Sequence, residues 1–252
     1  MAKIRRILLC PDVHAPYQHK QAYACFLAVA EGWRPHTTIV LGDFADCYQV
    51  SSFGLDPKRA IKSFAEEMAG VCAARRELDA ALKAGGCKDK RFLQGNHEVR
   101  IERYMLKNAE KMIDFAKPWD EIMELHKARW EVHAYKTSIQ LGNLRVTHDI
   151  ERAGVYAARQ SQLDMGCSVA FGHTHRLQVH YQGTIDGPRH VGATCGWLGD
   201  AEFIDYKHRD KTRRDSIHGF ATVNMLDTGE FWLQAIPIIE GRCIVDGQLF
   251  TA

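Results

Sequence analysis

Five apolar runs in this chain of 252 residues stop at the same small set of polar residues. "ILLC" leads into Pro11-Asp12-Val13-His14, and "TIVL" ends at Gly42-Asp43 with Asp46 three residues on. "FLQ" ends at Gly95-Asn96-His97-Glu98, "LRVT" at His148-Asp149, and "VAF" at Gly172-His173-Thr174-His175. Asp, Asn and His together make a nitrogen and oxygen donor set, which suits borderline divalent ions such as Mn, Fe, Zn, Ni or Co. Asp12/His14 and His173/His175 are separated by one residue, a spacing that keeps two side chains on one face of an extended segment. The donors are too many for one ion, whereas two ions ~3.5–4 Å apart would use them all.

Such residues can act together only if the strands before them end along one edge. Ile4–Cys10 and Thr37–Gly42 read as strands, with helical spacing over Gln21–Gly32 between them. An alanine-rich amphipathic helix is expected over Pro57–Leu82, then a strand over Lys90–Gln94 and helical sequence from Glu98 to about His126. Short strands "LRVTH" and "SVAFG" flank a helical stretch from Arg152 to Leu163. Beyond Gly172 the chain is strand-rich, with "RCIVDGQLF" as the last strand. A β-α-β opening followed by strands predicts two packed sheets with helices outside. In open parallel sheets the carboxyl ends of the strands form the ligand edge, so the five endings are expected to converge. No linker or repeat divides the chain, and a single domain over 1–252 is expected, with a charged surface insertion near 199–216.

The composition, 46% hydrophobic and 25% charged with a net charge of +2, is that of a globular chain able to bury a core without staples. No apolar run approaches the ~20 residues of a membrane span. The basic start "MAKIRRILLC" runs into a strand and lacks the form of a signal peptide. The eight cysteines contain no CxxC pair and read as small hydrophobes of a reducing compartment, hence a cytoplasmic location. No membrane partner is expected, and no signal for an oligomeric state is present.

In that order, Asp-x-His, Gly-Asp-x-x-Asp, Gly-Asn-His-Glu, a lone His and Gly-His-x-His resemble the calcineurin-like metallophosphoesterases. The longer stretches "GDFADCYQVSSFGLDPKR" and "GNHEVRIERYM" look closest to a bacteriophage and bacterial branch, so a phage protein in the host cytoplasm fits as well. The resemblance implies an α/β chain with a four-layer α/β/β/α sandwich of two mixed sheets flanked by helices. It implies two divalent ions, manganese favoured. One would be held by Asp12, His14, Asp43 and His175, and the other by Asp43, Asn96, His148 and His173, with Asp43 shared. It departs from the family at Asp149, where a glycine usually follows the lone histidine.

The chemistry expected is hydrolysis of a phosphate ester by in-line attack of a hydroxide bridging the two ions. His97 is expected to protonate or polarise the leaving group, with Asp46 orienting it. Glu98 is expected to stabilise the start of the next helix through its dipole. Arg100 and Arg176 stand close enough in sequence to touch a substrate phosphate. Arg209 and Arg213 could do so from the basic run Lys207–Arg214, which also suits a polyanion. Trp197 and Tyr206 could stack on bases, with core packing the stronger reading for the tryptophan.

The favoured activity is therefore a phosphodiesterase acting on nucleotides or nucleic acid. The rival inside the class is a phosphomonoesterase resembling protein serine/threonine phosphatases. Those usually carry arginines beside the second and third blocks, where this chain has Cys47 and Gln94. The rival outside it is a non-catalytic, metal-dependent phosphate-binding protein.

Overall fold

A computed structural model describes residues 3–52, 63–115, 117–183, 185–203 and 215–252. In chain order the elements begin with β1 (Ile4–Cys10), α1 (Lys20–Gly32), β2 (Thr37–Val40), α2 (Phe64–Gly85), β3 (Asp89–Leu93), α3 (Val99–Ala109) and α4 (Trp119–Ile122). Then come β4 (Glu131–His133), β5 (Ser138–Leu141), β6 (Leu144–Thr147), α5 (Ala157–Met165), β7 (Ser168–Phe171), β8 (Leu177–Gln182) and β9 (His190–Cys195). The strands β10 (Gly219–Leu226), β11 (Phe231–Pro237), β12 (Arg242–Val245) and β13 (Gln248–Thr251) complete it.

Six strands form one sheet in the order β11-β10-β1-β2-β3-β4, and five form a second in the order β5-β6-β7-β9-β8. Strands β1 to β4 run parallel, as do β6, β7 and β9. Ile7, Leu9, Ile39 and Leu41 of the first sheet meet Val146, Ala170 and Ala193 of the second in one apolar layer. The other face of the first sheet, with Leu8, Val40 and Phe92, packs against α1 and α2 through Phe26, Val29 and Leu78. On the far side α5 covers the second sheet through Ala157, Val169 and Phe171. The result is the four-layer α/β/β/α sandwich. Both faces of the central strands are buried, which is why they read as continuous apolar runs rather than alternating ones.

Four boundaries differ from the sequence expectation. Helix α2 starts at Phe64 because Ser63 caps it: its hydroxyl accepts from the Glu66 N–H (3.2 Å) while Glu66 accepts from the Ser63 N–H (2.9 Å). Residues 57–62 of the expected helix lie outside the described residues. The stretch from Glu98 breaks into α3, a 3-10 segment (Glu110–Phe115) and the short α4, whose N-cap is Pro118. Helix α5 begins only at Ala157, and the last expected strand is instead the hairpin β12–β13. Asp246 and Gly247 turn that hairpin with φ of 48° and 79°, so the Asp-Gly pair was the signal for it. Among the described residues no helix is long and apolar enough to cross a membrane.

Candidate metal centre

The loops after β1, β2, β3, β6 and β7 all leave the carboxyl ends of parallel strands, and the seven expected donors meet there. His14 Nε2 faces His175 Nε2 at 3.1 Å, with Asp12 Oδ2 3.9 Å from the same His175 atom. On the other side, Asn96 Oδ1 lies 3.0 Å from His148 Nε2 and 2.8 Å from His173 Nδ1. Asp43 stands between the halves, its Oδ2 3.4 Å from His148 Nε2. Asp12 Oδ1 is 3.7 Å from His148 Nδ1, so the two halves form one cluster, buried except at the half-buried Asn96 and His173.

The backbone is wound tightly to achieve this. His14, Asp43, His173 and His175 have φ of 54°, 49°, 62° and 57°, left-handed conformations that cost a non-glycine residue about 1–3 kcal/mol each. Glycine is needed where loops touch. A Cβ on Gly95 would stand 2.2 Å from the Asp43 nitrogen, and one on Gly42 (φ 97°) would stand 2.7 Å from His148 Nδ1.

Supporting residues fix the rings. His14 Nδ1 donates to Asp46 Oδ1 (2.9 Å), and His148 Nδ1 lies 2.7 Å from the Leu41 carbonyl, so each ring turns Nε2 toward the cluster. Asp46 was expected to orient His97. It serves His14 more directly, because His97 Nδ1 is nearer the Asp46 carbonyl oxygen (2.8 Å) than its carboxylate (3.4 Å). Glu98 makes no capping bond at the start of α3. Its carboxylate instead accepts from the N–H groups of Gly95 (2.8 Å), Ala45 (2.9 Å) and Asp43 (3.1 Å), and so ties the second loop to the third. Nothing in the local sequence marked that long-range role. Asp149, the departure from the family pattern, accepts from the Glu151 N–H (2.6 Å) and thereby shapes the loop after His148.

Among the described residues, imidazoles are the ionic partners of the Asp12 and Asp43 carboxylates. Neither oxygen of Asp12 has a well-aligned hydrogen-bond donor, although the His173 N–H lies toward it. Burial, against the pull of His148 and with a push from Asp43, brings the Asp12 carboxyl up to about 7. Burial also opposes charge on Asp43, but His148 and His97 together hold it well below the carboxylate range. Burial would lower His148, yet the Asp43 carboxylate lifts it to about 10. Asp46 is held low by hydrogen bonds from His14 and His97, which outweigh its burial. Burial leaves His173 and His175 below the usual imidazole range. A buried carboxylate without a well-aligned donor beside facing imidazole nitrogens fits a divalent cation.

Of the expected substrate contacts, Arg100 reaches the cluster: its Nη2 is 2.8 Å from His97 Nε2 and its Nη1 donates to the Asp46 carbonyl (3.0 Å). Arg176 is turned to Asp215 instead (2.8 Å). Arg209, Arg213 and Tyr206 lie outside the described residues. Trp197 is 3% exposed and unavailable to a base. Its ring stacks on His175 (4.7 Å, 11° between planes) and also on His218 (5.5 Å, 24°). Sequence reasoning missed this ring as a support of the cluster.

No protein-family model and no functionally curated protein matches the sequence. Among solved structures, Vacuolar Protein Sorting 29 from Cryptosporidium parvum superposes with a TM-score of 0.52 at 15% identity, over 99% of each chain. YfcE, a phosphoesterase from E. coli, gives 0.43 at 12% identity, over 91% of this chain and 98% of that one. At such identity a likeness speaks for fold, and the first of the two carries it. With two mixed sheets layered between helices and a shared architecture over the full length, the chain has the calcineurin-like metallophosphoesterase fold.

Proposed function

We propose that this chain is a two-metal phosphoester hydrolase and that its substrates are phosphodiesters of nucleotides or nucleic acid. The observation that carries the first part is the meeting of seven N/O donors from five strand ends, the fully buried Asp12 carboxylate among them. Asp12, His14, Asp43 and His175 would hold one ion, and Asp43, Asn96, His148 and His173 the other; manganese is favoured, and the mixed imidazole and carboxylate donors also suit Fe, Zn, Ni or Co. Bound there, such ions supply positive charge for phosphoryl oxygens and a water acidic enough to attack near neutral pH. The chain's own residues hold these donors in place: Asp46 fixes His14, Leu41 fixes His148, and Trp197 backs His175. His97 and Asp46 line the side from which a leaving group would depart, with His97 Nε2 3.8 Å from Asp43 Oδ2.

The diester part rests on charge. Residues 207–214 contain five lysines and arginines, and the residues flanking them are fastened beside the site. Phe203 packs on Tyr17 (5.6 Å), and Ile217 donates to the His175 carbonyl (2.9 Å). A polyanion is the substrate such composition suits. Monoester hydrolysis is the second reading, favoured by the Arg100 guanidinium at His97, since a terminal phosphate brings one more negative charge. The test compares bis(4-nitrophenyl) phosphate, 4-nitrophenyl phosphate, cyclic nucleotides and single- and double-stranded DNA across Mn, Ni, Co and Zn. Cleavage of the diesters is expected. Cleavage of the monoester alone removes the diester claim, and no turnover with any ion leaves a phosphate-binding protein.

A further inference from the structure

The hairpin β12–β13 is a two-stranded sheet of its own, and such a hairpin needs another element to pack on. That element is α1. A Cβ on Gly32 would stand 2.7 Å from Phe250 Cε1, so the Phe250 ring lies over the end of the helix. Asp246, at the hairpin turn, accepts from the Trp33 indole N–H (2.8 Å). Within the same contact face two thiols meet. Cys25 Sγ, from the middle of α1, is 3.5 Å from Cys243 Sγ of β12. Cys25 is fully buried and Cys243 is 5% exposed. All eight cysteines are free thiols, and among the described residues this is the one close contact between two of them. The sulfurs need to approach by ~1.5 Å to bond.

We propose that Cys25 and Cys243 are an oxidation site, joined by hydrogen peroxide in a reversible disulfide that locks the hairpin β12–β13 onto α1. The inference stands independently of the phosphoesterase reading. In the first step the Cys25 sulfur attacks one peroxide oxygen. The O–O bond breaks with its electron pair on the other oxygen, which takes the thiol proton and leaves as water, and Cys25 becomes a sulfenic acid. The Cys243 sulfur then attacks the Cys25 sulfur. The S–O bond breaks, and the departing hydroxide takes the Cys243 proton as a second water. Two thiols are oxidised by two electrons, and one peroxide is reduced to two waters. Peroxide is little larger than water, so it reaches a thiol that bulkier oxidants do not. The Cys243 thiol lowers the Cys25 thiol against its burial, while Cys25 and burial raise Cys243, so Cys25 is the sulfur that reacts first. The cross-link joins residues 218 apart in the chain, and a disulfide restricts the unfolded chain more the longer the loop it closes. Neither cysteine is among the seven metal donors, so the clip leaves the cluster unchanged.

The test reduces the full chain with dithiothreitol, removes the reductant and adds hydrogen peroxide. Peptide mapping by mass spectrometry without reduction is expected to find one cross-linked pair of peptides holding Cys25 and Cys243, lighter by two hydrogens than the reduced pair. The Tm of the oxidised chain is expected to rise by roughly 5–15 °C over the reduced one, and dithiothreitol returns it. In Cys25→Ala and Cys243→Ala the readout is the difference between reduced and oxidised samples of the same variant, and that difference is expected to vanish. Where a variant fails to fold, the peptide map and the thermal shift of the unaltered chain decide. Recovery of Cys25 and Cys243 as thiols or sulfinic acids with no bond between them overturns the inference. A cross-link that leaves Tm unmoved, or a shift that survives in both variants, overturns it as well.

Discussion

The parallel strands of the six-stranded sheet carry charged residues at both ends, arranged in opposite ways. At the amino-terminal end Asp89 accepts from Arg5 (2.6 Å), Arg91 (3.0 Å) and Thr37 (3.0 Å), and Glu131 lies 3.5 Å from Arg91. Each acid there has an arginine of its own. Burial pulls the Asp89 carboxyl up, but Arg91, Thr37 and Arg5 carry it below its usual range. At the carboxyl end Asp12 and Asp43 have only imidazoles as ionic neighbours among the described residues. Asp12 is driven up to about 7 rather than down. The difference teaches how a fold marks a place for a guest. A built-in arginine closes the charge account permanently, whereas histidines leave it to be completed by an ion that can come and go.

The comparison breaks most directly at Asp43, the carboxylate between the two halves. Asp43→Ala should lower kcat/KM on the order of 10³-fold, since several kcal/mol of charge stabilisation depend on ions it would share. Near-wild-type turnover in that variant is incompatible with two ions sharing a ligand. Gly95→Ala tests whether close packing at this edge is as strict as it looks. With its Cβ 2.2 Å from the Asp43 nitrogen, the variant is expected to lose about 1–3 kcal/mol of stability by denaturant titration and ~10²-fold in rate. A fully stable, active Gly95→Ala chain contradicts the geometry of the two loops.

Smaller effects sharpen the contrast. Asp46→Asn keeps the shape of the side chain but not its charge, and should weaken metal binding about 10–100-fold in a calorimetric titration, as supports of ligating histidines do. Loss of turnover with unchanged metal affinity would instead place Asp46 with the substrate. The least change is expected at the opposite end. The Asp89 and Arg5 side chains are 32% and 39% exposed, so Asp89→Asn should cost about 0.2–1 kcal/mol, a Tm drop of no more than about 2–4 °C, with unaltered rate. A large loss of activity there shows that the two ends are coupled through the sheet.

Much of the carboxyl edge was legible because its donors sit directly after apolar runs, and an apolar run that ends in Asp, Asn or His announces both a strand and its cargo. What escaped depended on contacts across the chain. Glu98 bonds to the Ala45 and Asp43 nitrogens, 53 and 55 residues away in the chain, so its neighbours in sequence suggested only a helix start. His97 and Arg100 are three apart at a helix start, a spacing that brings side chains together, and that signal was available. The stack of Trp197 on His175 joins segments from different strand ends and has no local trace. The broken helix after Glu98 had a visible cause in Pro118, and the final hairpin had one in Asp246-Gly247.

That stack also gives the molecule an optical property. An open-shell ion such as manganese(II) or nickel(II) on His175 would stand one ring away from an excited indole and quench it, whereas zinc(II), with its filled d shell, would leave the emission bright. Of the five tryptophans, Trp197 is the one that lies against a site histidine. Emission that dims as manganese is titrated in, and no longer dims in Trp197→Phe, therefore reads the filling of the His14–His175 half by intensity alone, before any substrate is known.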